Sequence, residues 1–218
     1  MNTIHSTLTQ FPVGNALKEL IKPYKNIIFD MDGTLLNTEI LHASAIVSIL
    51  PKQSVSFTKE EIEKHFHGMN DRVVYQKLIE LGVQVPFDSA EAFVDAKNIS
   101  LVNLLNQKPE LIKDSLKQEI RDGLDIIKKE NKKMMLVTAS EKIVTETLLK
   151  SLKLYDLFDL VLTTYNTHFT KPNSSPYFLA MRQAGLHTKD NLIFEDSLTG
   201  LAAALESGAT VMKASWFH

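Results

Sequence analysis

The chain has no cysteine among its 218 residues, which excludes disulfides, thiolate catalysis and cysteine-ligated zinc together. That absence fits a reducing compartment, and cytoplasmic residence is the expectation. Neither sign of charge dominates. With 24 Lys+Arg against 26 Asp+Glu the formal net charge is -2, so no overall field would draw in nucleic acid or a membrane surface. Any anionic ligand must be held by local charges. No run approaches the ~20 apolar residues of a membrane span, and residues 1–15 lack the apolar stretch behind a basic start that a secretory signal needs. A soluble protein is expected, as a monomer or weak homodimer. Repeats and low-complexity segments are also missing. What is present is ordinary globular material, 44% hydrophobic and 23% charged, in a chain long enough for one large domain or a core with a smaller insertion.

Short apolar runs mark candidate parallel strands: Asn26-Ile27-Ile28-Phe29, Met134-Met135-Leu136-Val137 and Asn191-Leu192-Ile193-Phe194, with weaker runs over 160–162 and 210–212. Amphipathic spacing over 117–131, 141–152, 176–184 and 197–207 suits helices that cover a sheet. Alternation of this kind predicts an α/β fold with a Rossmann-like parallel-sheet core. From about 39 to 112 only helical signals occur, over 40–50, 58–66, 71–81 and 89–105, too long a stretch for a simple crossover. It reads as an inserted α-helical cap domain, 38–112, with the core formed by 1–37 and 113–218 and hinges near 36–38 and 112–116. In an open parallel sheet, ligands sit beyond the carboxyl ends of the strands. The polar clusters of this sequence fall at those ends. About 25 residues precede the first of these strands, with one short helix expected around 16–21. The chain stops soon after the last strand candidate, so a terminal helix after it is not expected.

Phe29-Asp30-Met31-Asp32-Gly33-Thr34 sets two carboxylates one residue apart at a strand end. Alone, an Asp-Gly turn formed by solvated acids explains D-x-D as well. D-x-D-G-T after four apolar residues is far more specific. The segment resembles the first motif of the haloacid dehalogenase superfamily, in the β-phosphoglucomutase-like phosphatase subgroup whose helical cap follows the first strand. The resemblance implies Asp30 as the nucleophile that attacks phosphorus and forms an aspartyl-phosphate. It implies Asp32 as the acid that protonates the leaving oxygen and the base that later activates water. Members that cleave carbon–halogen bonds lack an Asp there, so Asp32 favours phosphoryl transfer. Gly33 would permit the tight loop and Thr34 could bind phosphate.

Three further clusters match the family's motifs in order. In Thr138-Ala139-Ser140 the hydroxyls alone would suggest helix caps; by resemblance Thr138 and the N–H of Ala139 bind phosphate oxygen, and Ser140 both caps the next helix and lies near substrate. Lys171, followed by Pro172, would neutralise the nucleophile and the transferring phosphoryl group, although Ser174 and Ser175 stand where relatives carry Pro and Asp. In Glu195-Asp196 the resemblance makes Asp196 a direct magnesium ligand and Glu195 a direct or water-mediated one. Carboxylates ~4 Å apart repel by about 4 kcal/mol at an effective dielectric near 20. Asp30, Asp32, Glu195 and Asp196 facing a phosphate therefore call for a hard dication, Mg²⁺, held by Asp30, the backbone carbonyl of Asp32, and Asp196. In the cap, the resemblance makes His42 and Gly68 candidate substrate contacts, His42 having beside it the plain reading of a partly buried helix residue; His65 and His67 make a poor metal pair. The function implied is an Mg²⁺-dependent phosphatase of a small phosphorylated metabolite. A sugar-phosphate mutase is the first alternative, disfavoured because Asn70 and Asp71 stand where mutases place an Arg. A non-catalytic phospho-ligand-binding regulator is the second.

Overall fold

The computed structural model describes residues 3–51, 58–66, 69–185 and 187–217. Within them the chain divides into two compact units, Met1–Asn37 with Asp114–His218, and Thr38–Lys113.

The first unit is built on six strands: β1 (Ser6–Leu8), β2 (Asn26–Phe29), β3 (Lys133–Val137), β4 (Leu160–Leu162), β5 (Asn191–Glu195) and β6 (Thr210–Ala214). They form one sheet in the order β1-β6-β5-β2-β3-β4, every pair parallel. β2 is buried along its whole length because it lies between β3 and β5, which is why it reads as an unbroken apolar run. Alternate side chains leave the sheet on opposite faces. Ile28, Met135, Val137, Ile193 and Val211 pack with α9 (Ser175–Gln183) and α10 (Leu198–Glu206) in one cluster. Phe29 and Phe194, of opposite parity, stack at 5.2 Å and meet Phe11. Phe11 and Leu17 of α1 (Gly14–Ile21) both approach Gly123 of α7 (Gln118–Lys129).

β1 was not expected. Ser-Thr-Leu shows no apolar alternation, and an edge strand only three residues long buries too little to leave a pattern. It pairs Ser6 with Met212 and Leu8 with Ala214, and the Ser215 N–H donates to the Leu8 carbonyl at 2.8 Å. The segment ahead of β2 thus extends the sheet beyond β6.

The second unit contains α2 (Glu39–Ile49), α3 (Lys59–Phe66), α4 (Asp71–Glu80), α5 (Ala90–Gln107) and most of α6 (Pro109–Asp114). Ala43, Ile46, Phe66, Val74, Leu78 and Phe93 form its core. The Asn70 and Ser89 side chains cap α4 and α5, satisfying backbone N–H groups that have no partner inside the helix. Lys97, buried in α5, pairs with Asp71 at 2.9 Å. No helix of the described residues is long and apolar enough to cross a membrane.

Candidate active site

Three neighbouring strands, β3, β2 and β5, end at one level because Phe29 is in register with both Leu136 and Phe194. The residues that follow each end are therefore brought together. Asp30 continues the ladder, its N–H donating to the Phe194 carbonyl at 3.0 Å. The chain then turns sharply, with the N–H groups of Leu35 and Leu36 both donating to the Met31 carbonyl at 2.9 Å. Gly33 has φ +80, and a Cβ there would lie 2.2 Å from Asp196 Oδ2. Glycine is thus required for the backbone angle and for the approach of the Asp196 carboxylate. Thr34, fully buried, donates its hydroxyl to Asp196 Oδ1 at 2.8 Å.

Lys171 reaches this point from the loop before α9; the Lys171–Pro172 peptide bond is cis. Its ammonium donates to Asp30 Oδ1, to Glu195 Oε2 at 2.7 Å and to the Val137 carbonyl at 3.0 Å, which uses all three of its N–H bonds. The Tyr177 ring lies 5.0 Å from Nζ. Burial, foremost, and the repulsion of Glu195 push Asp30 well above the ordinary carboxylate range, with Lys171 pulling the other way. For Lys171, burial disfavours the charge but Asp30 and Glu195 outweigh it and hold the ammonium well above its ordinary value. The cause is common to both: three buried carboxylates, Asp30, Glu195 and Asp196, confront one cation.

Glu195 is completely buried, and its two oxygens are occupied. Oε2 accepts from Lys171 and from the Tyr177 hydroxyl at 2.6 Å; Oε1 accepts from the N–H groups of Asp196 and Ser197, both at 3.1 Å, and from the Ser197 hydroxyl at 3.0 Å. It aims Lys171 and ties down the start of α10. Direct ligation of a metal by Glu195 would compete with these donors, whereas a water-mediated contact would not. Gly200 makes room for it, since a Cβ there would lie 2.0 Å from the carboxyl carbon.

Asp32 has partners of its own. Its Oδ2 accepts from the Ser140 hydroxyl at 2.6 Å and the Thr138 hydroxyl at 3.3 Å, and Thr138 Oγ1 also receives the Ser140 N–H at 2.9 Å. The helix-capping role expected of Ser140 is corrected: α8 (Lys142–Ser151) has Glu141 at its N-cap without a side-chain cap. The Ser140 hydroxyl is given to Asp32 instead. Ala139 is exposed at the turn between them.

The expected site residues of the core are thus gathered within the first unit. His42 lies on α2 in the second unit, half-buried. Gly68 and His67 lie outside the described residues. Tyr177, Ser197 and Gly200 were missed as supports of the site. Ser197 had a visible signal as the N-cap of α10, while Tyr177 and Gly200 carried none, since their parts depend on where Glu195 points.

Oxygen atoms of Asp30, Glu195 and Asp196 approach within 4.8 Å of one another. An all-carboxylate set suits a hard cation such as Mg²⁺ and not zinc. With all three ionised, the carboxylates exceed the one ammonium by two negative charges, which one such ion would balance. Lys171 occupies Oδ1 of Asp30, and no donor among the described residues reaches Oδ2. The residues fit the ion.

A model of the family described as haloacid dehalogenase-like hydrolase matches residues 27–214. Among similar proteins, the fructose-1-phosphate phosphatase YqaB of Escherichia coli is 26% identical over 191 residues, covering 85% of this chain and 93% of the relative. A phosphorylated carbohydrates phosphatase of Thermotoga maritima is 26% identical over 184 residues, covering 84% and 81%. Among solved structures, CbbY of Rhodobacter sphaeroides in complex with phosphate superposes with a TM-score of 0.73 at 22% identity, covering 89% of this chain and 88% of that one.

Proposed function

The chain belongs to the haloacid dehalogenase-like hydrolase family, and from that membership and the site's geometry we propose that it is an Mg²⁺-dependent phosphatase of small phosphorylated metabolites. The observation that carries the reading is the placement of two carboxylates in different company: Asp30 on the buried Lys171 among the metal-site acids, Asp32 on the hydroxyls of Thr138 and Ser140. Environments that separate two acids in this way are how one site runs nucleophilic and acid–base chemistry together.

In this reading Asp30 attacks phosphorus and becomes the aspartyl-phosphate while the ester oxygen leaves. Asp32 gives that oxygen a proton, then takes one from the water that releases phosphate and regenerates Asp30. Thr138 and Ser140 orient Asp32, and Lys171 opposes the charge of Asp30 and of the phosphoryl oxygens. Magnesium held by Asp30, Asp196 and the Asp32 carbonyl would neutralise the excess negative charge that otherwise repels a phosphate. Glu195 holds Lys171 and would add negative charge near that ion. The helical unit is read as the cap, whose substitutions should change which ester is accepted and not how it is cleaved. The names of the two phosphatase relatives put sugar monophosphates first among substrates to try.

The test is phosphate release from a panel of sugar phosphates, nucleotides and short phosphorylated acids, with and without Mg²⁺, by the native chain and by Asp30→Asn. Magnesium-dependent release by the native chain alone supports the proposal. Equal release by both would contradict it, and a rate that requires added sugar bisphosphate would point to the mutase instead.

A further inference from the structure

Residues outside 27–214 touch the site's own loop. Trp216, buried, donates its indole N–H to the Thr34 carbonyl at 2.8 Å. Among the described residues no other donor reaches that carbonyl. Thr34 is the residue whose hydroxyl holds Asp196 Oδ1. A line of two hydrogen bonds therefore runs from the indole to the metal-site carboxylate, through a residue with no exposed surface.

The indole is itself fixed from both ends of the chain. Phe11 meets it edge-on, with centroids 5.2 Å apart and planes at 84°, and Phe194 tilts against it at 5.9 Å. Phe11 can sit there because Gly123 of α7 leaves the space; a Cβ would lie 2.2 Å from its ring. The Trp216 carbonyl accepts from the Lys117 ammonium, and the preceding Ser215 N–H from its side pairs with Leu8 of β1. Neither Phe11, β1 nor Trp216 lies in the matched stretch.

We infer that Trp216, braced by Phe11, is a positioning residue that fixes the Thr34 carbonyl and through Thr34 the Asp196 carboxylate, so that the chain's two ends help set its affinity for Mg²⁺. The inference rests on the reading of Asp196 as a ligand. Outer groups that orient a metal's ligands weigh on affinity by roughly 10- to 100-fold when removed; Trp216 acts one bond further out, and about 3- to 10-fold is expected. Phenylalanine keeps an aromatic ring against Phe11 and Phe194 but loses the N–H and the indole's five-membered ring, so Thr34→Val is the variant that separates the hydrogen bond from packing.

Because Trp216 is the chain's one tryptophan, its emission reports on the loop directly. Mg²⁺ alone is titrated into the native protein while indole emission and the thermal midpoint are followed. Emission should change and saturate, the midpoint should begin to rise over the same range of Mg²⁺ concentration, and Asp196→Asn should abolish both. In Trp216→Phe the Mg²⁺ concentration at which the midpoint begins to rise should increase by about 3- to 10-fold. Thr34→Val, which keeps the carbonyl but breaks the bond to Asp196, should uncouple emission from Mg²⁺ whether or not Trp216→Phe folds. If Mg²⁺ raises the native midpoint but emission stays constant, or Trp216→Phe binds as the native chain does, the inference is overturned and the site reading stands. If Mg²⁺ has no effect on the native midpoint, the reading of Asp196 fails and the inference with it.

Discussion

Replacing Gly33 by alanine separates backbone strain from damage to the site. At φ +80 an L-residue is disfavoured by about 1–2 kcal/mol. The same strain arises in Gly82→Ala and Gly185→Ala, where φ is +75 and +67 and a Cβ would meet nothing within 4 Å. In a chain of this size 1 kcal/mol lowers the thermal midpoint by about 2–4 °C, so all three variants should lose a few degrees for this reason. Only at Gly33 does the new Cβ fall 2.2 Å from Asp196 Oδ2. Relieving that overlap requires the carboxylate or the loop to move by about 1 Å, a displacement that can reduce turnover by roughly 10²-fold. Thermal melts and steady-state rates with saturating Mg²⁺ on the three variants supply the comparison. Gly33→Ala should lose activity by about two orders of magnitude beyond the two controls. Activity equal to theirs would refute the claim that Gly33 exists to admit Asp196.

Asp32→Asn should leave the Mg²⁺-induced rise in midpoint intact while lowering turnover by about 10²–10⁴; full activity would remove Asp32 from acid–base work. Lys171→Met leaves Asp30 and Glu195 buried without their cation, a loss of about 3–5 kcal/mol, and added Mg²⁺ should restore part of it; a melt unchanged from the native one would contradict the pairing. The metal-free protein should also lose stability as pH rises above 3.8. Asp30 is raised above that ordinary value, so the native state binds a proton there that the unfolded chain has released. Lys171 is raised too, and its contribution persists below 10.5, clear of this window. Thermal midpoints across mildly acidic to neutral pH should fall less steeply in Asp30→Asn; identical slopes would mean that Asp30 is not the group responsible.

How much could be read from residues alone followed what each pattern encodes. Strands β2, β3 and β5 are buried on both faces, so their apolar runs located them to within a residue. β1 escaped because its stability comes from the ladder to β6 and not from its own side chains. Asp30, Asp32, Lys171 and Asp196 were legible because strand ends and family spacing marked them. The support beneath them was not. Whether the Ser140 hydroxyl caps a helix or binds Asp32, and whether Glu195 faces an ion or Lys171, is decided by competition among donors brought from distant parts of the chain. Nothing in the sequence marks Tyr177 or Trp216, and only the direction of one polar hydrogen on each brings them to Glu195 and to the Thr34 carbonyl.

The covalent step can be caught most directly by acid-quenching the protein during turnover of a phosphate ester, reducing with borohydride and mapping the product by peptide mass spectrometry. The account predicts that residue 30 alone is converted to homoserine, in native protein and not in protein quenched before substrate is added. Ongoing phosphate release with Asp30 unmodified, or conversion at another carboxylate, would contradict it.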